Sequence, residues 1–115
     1  MWEQINKQSE ILLNKSLEKK LTVTSAESCT GGMIASSIVS ISGSSAIFKS
    51  SVVTYSNDMK SKILNIPLEF IHEKGAVSEI VAYNMASNVL DLMSADISIA
   101  VTGIAGPNGG TKSKP

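Results

Sequence analysis

The sequence predicts an α/β protein, a three-layer-like sandwich in which a mostly parallel sheet is covered by helices. Three observations predict it. β-prone runs and helical patterns alternate along the chain. The apolar periodicity switches between two and about four residues as they do so. Small-residue turns rich in Gly and Ser follow two of the β-prone runs, "SAESCTGG" at 25–32 and "TGIAGP" at 102–107. A length of 115 residues suits one domain, 1–115, near the low end of domain size.

The elements follow in order. From Glu3 to Lys20, Ile5, Leu12, Leu13 and Leu17 recur near helical spacing with Lys and Glu between them, an amphipathic helix. "LTVTS", 21–25, alternates Leu21 and Val23 with Thr22 and Thr24 and reads as a strand. "GGMIASSIVSI" is a small-residue helix with Met33, Ile34, Ile38 and Val39 as its bulk, broken by "SGSS" at 42–45. "AIFKSSVVTYS" is β-prone, and 42–55 has room for a hairpin or an antiparallel edge. Asn57 is placed to cap a short helix, "DMKSKIL", and Pro67 ends that pattern. "EKGAV" is a turn. Ser78 then caps a long helix from Glu79 to about Met93, with Val81, Met85, Val89 and Leu92 inward. "DISIAVT", 96–102, suits a buried strand, and "GIAGPNGGTKSKP" is turn-rich. A glycine-rich loop after a buried strand ordinarily leads to another element, so this last stretch reads either as a tail or as a sequence cut short.

Composition narrows the function. Ten acidic and ten basic residues cancel, which disfavours a nucleic-acid groove or an anionic membrane surface. All ten basic residues are Lys, so a bound phosphate would rely on Lys, hydroxyls or backbone N–H groups. One Cys excludes an intrachain disulfide, no run of about twenty apolar residues appears, and "MWEQINKQSE" lacks a signal-peptide core; the expectation is a cytoplasmic protein. One Cys and one His do not make a metal-ligand set.

Chemistry is expected at the two small-residue turns, because ligands in open α/β sheets bind beyond the C-terminal ends of the strands. Ser, Thr and Gly at a helix start also serve plain capping, so "SCTGG" has a structural explanation as well. "GPNGGTK" fails the phosphate-loop pattern, since Thr precedes Lys. Ser28, Cys29 and Thr30 are all potential nucleophiles. His72, the single His, sits in a polar stretch without an orienting partner and gives Cys29 or Ser28 no convincing base. A Ser–Lys pair remains, with a lysine made basic by burial. Lys60 follows the "VVTYSN" run with Tyr55 five residues before it, but spacing alone does not separate Lys60 from Lys62, and a solvated lysine is the commoner case.

"AESCTGG", "GSSAIF", "VVTYSNDMKSKIL", "HEKGAVSE" and "AVTGIAGPNGGTKSKP" occur in this order over about residues 5–115. In them the chain resembles the C-terminal domain of the competence/damage-inducible CinA proteins, a family that includes stand-alone nicotinamide-nucleotide amidases. The resemblance implies an α/β sandwich. It implies hydrolysis of the carboxamide of nicotinamide mononucleotide to nicotinate mononucleotide and ammonia, without metal or cofactor. By the same resemblance Ser28 is the nucleophile, Lys60 its general base and Tyr55 an assisting hydroxyl. Thr30, Gly31 and Gly32 would offer N–H groups to the oxyanion, and Ser45, Thr102, Gly103, Ala105 and Gly106 would line the nucleotide pocket. The partner expected is a small nucleotide substrate, not a nucleic acid or a membrane.

In the family the chain continues past the "KP" at which this sequence stops, with at least one more strand, its partner and a helix that usually carry Arg. The resemblance thus implies a sheet lacking its last strands, with an exposed edge that favours self-association. It sets an amidase against a truncated, inactive relative that at most binds nucleotide, and against a Ser–Lys hydrolase of another amide.

Overall fold

Three parallel strands lie side by side in the order β2–β1–β3 in the computed structural model, which describes residues 1–104. β1 is Val23–Glu27, β2 Phe48–Val53 and β3 Ile97–Val101. The helices are α1 (Trp2–Lys19), α2 (Met33–Val39), α3 (Asn57–Leu64), α4 (Leu68–Lys74) and α5 (Glu79–Met93), with a 3-10 turn at Ser44–Ala46. Both pairings of β1 are parallel, so the segment before β2 forms that turn and not a hairpin.

Side chains alternate across the sheet, and each face has its own core. On one face Val23 packs with Leu13 of α1, Ile38 of α2 and Ile47, and Ile97 and Ile99 join them. On the other, Ala26 packs with Leu64, Ile66, Ile71, Val81, Met85 and Val89 from α3, α4, α5 and the segment between α3 and α4. Helices on both faces of the sheet make the three layers. β1 is central and buried at all five positions, and its hydroxyls are satisfied across the sheet: the Thr24 hydroxyl donates to the Ser50 carbonyl at 2.7 Å, and the Ser25 hydroxyl bonds that of Ser51.

The long helix starts at Ser78, whose Oγ accepts the Val81 N–H at 3.3 Å, a cap that contributes about 1 kcal/mol. Three local expectations change. Ser56, not Asn57, caps α3, its Oγ accepting the Met59 N–H at 3.2 Å, because Ser56 has the extended backbone a cap needs. The stretch between Pro67 and Gly75 is helical, so His72 lies in the last turn of α4 and not in a polar loop. Leu17 and Leu92 are exposed: Leu17 lies toward the edge of α1's apolar stripe, and Leu92 stands in the last turn of α5.

The strand order defines the site. From β1 the chain crosses by α2 to β2 on one side; from β2 it returns by α3, α4 and α5 to β3 on the other. The order reverses at β1, so the turns that follow β1 and β3 meet where open α/β sheets bind their ligands. Among the described residues no helix is long and apolar enough to cross a membrane.

Candidate active site

Ser28 is the first residue beyond β1. The ladders continue through it: its N–H donates to the Val101 carbonyl at 3.1 Å, while the Thr54 N–H donates to the Glu27 carbonyl at 2.8 Å. Parallel register thereby brings the ends of all three strands together around a serine that is only 4% exposed.

Lys60 arrives from the second turn of α3. It is 1% exposed, and its Nζ lies 3.0 Å from Ser28 Oγ, 3.0 Å from the Thr54 carbonyl and 3.4 Å from the Tyr55 carbonyl. Burial pushes its pKa below the ordinary 10.5, with only the neighbouring Cys29 sulfur acting the other way. A neutral amine has two N–H bonds and one lone pair. If the two carbonyls take the N–H bonds, the lone pair faces the Ser28 hydroxyl, which is the arrangement a general base requires. Lys62, which spacing could not separate from Lys60, is not buried.

The turn after Ser28 is closed by the Gly31 N–H donating to the Ser28 carbonyl at 3.0 Å. Gly32 has φ 103°, a conformation that favours glycine, and a Cβ there would lie 3.7 Å from Val53 Cγ2. Glu27, which the sequence did not single out, organises this turn. It is fully buried, and its Oε1 accepts the Thr30 hydroxyl at 2.8 Å and the Gly32 and Ile34 N–H groups at 3.1 and 2.9 Å, while Oε2 accepts the Ala35 N–H at 2.9 Å. Burial alone would raise its pKa; the hydrogen bonds from Ala35, Ile34, Thr30 and Gly32 outweigh it and hold the carboxyl below its ordinary value. The N–H groups expected to serve an oxyanion at Gly31 and Gly32 are therefore engaged. Among the described residues, those of Cys29 and Thr30 donate to nothing.

The other expected site residues distribute unevenly. Gly103 closes over the nucleophile turn: a Cβ on it would lie 3.0 Å from Cys29 Sγ. The Thr102 hydroxyl donates to the Ala76 carbonyl at 2.8 Å and ties the end of β3 to the segment before α5. Tyr55 contributes its carbonyl to Lys60, while its side chain is 64% exposed and its hydroxyl makes no hydrogen bond among the described residues. Ser45 is not brought here. It precedes β2, whose first residue, Phe48, pairs with Val23 at the opposite edge of the sheet from Ser28. Ala105 and Gly106 lie outside the described residues. An apolar cleft between α1 and α2, lined by Ile5, Leu12, Met33, Ile34 and Ile38, offers no titratable side chain.

Known proteins share this sequence pattern and fold. A family model described as "CinA C-terminal domain" matches residues 5–115. A CinA-like protein of Prochlorococcus marinus strain MIT 9312 is 53% identical over 105 residues, which are 91% of this chain and 25% of that protein. A CinA-like protein of Colwellia psychrerythraea is 51% identical over 107 residues, 93% of this chain and 25% of that protein. The chain thus spans about a quarter of the length of the curated relatives it matches. Among solved structures, a competence-damaged protein (CinA) superfamily protein from Escherichia coli superposes with a TM-score of 0.90 at 35% identity, covering 96% of this chain and 64% of that one. A competence/damage inducible protein from Agrobacterium tumefaciens gives 0.86 at 40% identity, with 96% and 67% covered.

Proposed function

The chain belongs to the CinA C-terminal domain family, and from that premise we propose that it hydrolyses a carboxamide, that of nicotinamide mononucleotide, to the carboxylate and ammonia. Residues 1–115 are read as one amidase domain, with Ser28 as nucleophile and Lys60 as the base that serves it. The single observation that carries this reading is the buried lysine amine 3.0 Å from a buried serine hydroxyl.

In the first half-reaction neutral Lys60 takes the proton of Ser28 as Oγ forms a bond to the amide carbon. The carbonyl π electrons move to oxygen, and the unengaged Cys29 and Thr30 N–H groups are the donors available to that oxyanion. The oxyanion then collapses, the C–N bond breaks, and the Lys60 ammonium gives its proton to the departing nitrogen, which leaves as ammonia. In the second half, Lys60 takes a proton from a water that attacks the ester. The C–O bond breaks and Ser28 recovers its proton from Lys60, leaving the carboxylic acid, which ionises. Each proton passes through one amine, so a single buried lysine suffices as base and acid. Tyr55 supports Lys60 through its carbonyl, and its exposed ring is assigned to the substrate side of the site.

The test is ammonia release from nicotinamide mononucleotide by purified protein, with Ser28→Ala beside it. Turnover by the parent that falls by at least about 10³-fold in Ser28→Ala is expected. Folded protein that binds the nucleotide without releasing ammonia would replace this reading with that of a non-catalytic nucleotide-binding relative; release of ammonia only from other amides would move the substrate.

A further inference from the structure

The structure assigns Glu27 as the positioning residue of the nucleophile turn: its carboxylate occupies the start of α2 in place of any substrate anion and fixes the shape of residues 28–35 that presents Ser28 to Lys60. The kinetic part of this inference rests on the amidase reading above; the conformational part stands without it.

The first ground is that no counter-ion pairs with Glu27 among the described residues. Glu27 is fully buried, yet the only ion pair among the described residues joins Lys74 to Glu73, and the buried amine of Lys60 is directed at Ser28. A buried carboxylate is tolerated only when its lone pairs are filled. Three backbone N–H groups and one hydroxyl fill these, with the Ser25 hydroxyl at 3.4 Å as a longer fifth contact.

The second ground is where those donors sit. They lie on residues 30, 32, 34 and 35, while the carboxylate belongs to the last residue of β1. The side chain therefore bridges the strand end and the first turn of α2, and the turn carrying Ser28 hangs between the two anchor points. The Glu27 carbonyl, meanwhile, accepts the Thr54 N–H, next in the chain to the Tyr55 that also faces Lys60. Side chain and main chain of one residue thus connect the nucleophile turn to α2 and to the segment that holds the base. Displacing Ser28 by about 1 Å is enough to lower a rate by about 10²-fold.

The third ground is chemical. Only a group with acceptors and no donors satisfies this cradle. A glutamine would turn an N–H₂ toward the Ala35 N–H, and an aspartate would fall short of it by one methylene. The free N–H groups of a helix start ordinarily draw anions; here the protein's own carboxylate consumes them, and a substrate anion must be held elsewhere.

Cys29, the single cysteine, lies half-buried in this turn and is a built-in reporter of its shape. The experiment compares parent, Glu27→Gln, Glu27→Asp and Met85→Ala, the last a core variant that lowers stability without removing a hydrogen bond of the cradle. Met85 packs in the core under β1 and makes none of the cradle hydrogen bonds; for each protein, the rate of Cys29 alkylation by iodoacetamide under native conditions is measured with kcat and KM for the amide. Glu27→Gln is expected to raise the alkylation rate by about tenfold and to lower kcat by about 10- to 100-fold, with KM within about threefold, while Met85→Ala at matched unfolding midpoint changes neither; Glu27→Asp, which keeps the charge, falls between. Equal changes in Glu27→Gln and Met85→Ala, or an alkylation rate and kcat in Glu27→Gln within about twofold of the parent, overturn the inference. If Glu27→Gln does not fold, Thr30→Val, which removes one donor to Oε1, decides by the same two readouts in the same directions. If the parent releases no ammonia, the amidase reading falls, and the Cys29 rates alone judge Glu27.

Discussion

Lys60, thirty-two residues beyond Ser28 in the chain, holds its amine 3.0 Å from the Ser28 hydroxyl with both side chains shut off from solvent. The burial that lowers the lysine pKa also raises the share of neutral amine below the ordinary 10.5, the form the proposed base requires. Its sign fixes two pH trends. Only neutral Lys60 can accept the serine proton, so kcat/KM should rise about tenfold per pH unit and level off at a pH below the 10.5 of an ordinary lysine. A lysine with a lowered folded-state pKa binds fewer protons folded than unfolded between the two values, so its unfavourable effect on folding fades as pH rises toward 10.5. The unfolding free energy of the parent should therefore gain on that of Lys60→Met over this interval. Denaturant titrations of both proteins at several pH values check it; a constant gap would show Lys60 titrating as a free lysine.

Tyr55 separates two roles by which part of it the site uses. If its hydroxyl assisted proton transfer, Tyr55→Phe would lose activity. The carbonyl reaches Lys60 and the ring stands exposed, so Tyr55→Phe should keep kcat within about threefold, whereas Tyr55→Ala should raise KM by about tenfold through loss of an aromatic contact to the substrate ring. A drop of kcat in Tyr55→Phe as large as that in Lys60→Ala would restore the hydroxyl to the mechanism.

How much of this was legible in the sequence depends on whether the information was local. Ser78 and the long helix behind it were readable because cap and periodicity are both local. So was the meeting of the turns after β1 and β3, which follows from alternating strands and helices. α4 was missed because seven residues between a proline and a glycine give too little periodicity to distinguish from a loop. Ser45 was grouped with the site because a motif list carries no strand direction; the parallel course of β2 takes it to the far edge. Glu27 was passed over because an acid beside a polar turn reads as solvated, and its burial exists only once α2 folds back over it. The available signal was an acid inside a small-residue run with no lysine nearby in the chain.

Gly103 carries a steric prediction. The Cβ of an alanine there would approach Cys29 Sγ to 3.0 Å, so the sulfur, and with it the turn next to Ser28, has to give by a few tenths of an ångström. Gly103→Ala should lower kcat by about tenfold while leaving the unfolding midpoint nearly unchanged. Cys29→Ala removes the atom in the way, and the double variant should recover most of the lost rate. Failure of Cys29→Ala to rescue would place the effect in the backbone of the β3 turn and not in the contact.

Glu27 makes the acid limb of stability the most direct test of its hydrogen-bonded carboxylate. A carboxyl whose folded pKa lies below its unfolded value stabilises the fold in full above the ordinary value of 4.5, and that contribution is lost as pH falls through the lower, folded value. Glu27→Gln has no such proton to bind. Unfolding free energies of the parent and Glu27→Gln should therefore differ by a constant amount from neutrality down to about pH 5, and the parent's advantage should shrink below 4.5. Urea titrations between pH 7 and pH 3 measure both curves. A gap that stays level to pH 3 would mean that Glu27 holds its cradle equally well protonated, and that its shape and not its charge orders the turn that carries Ser28.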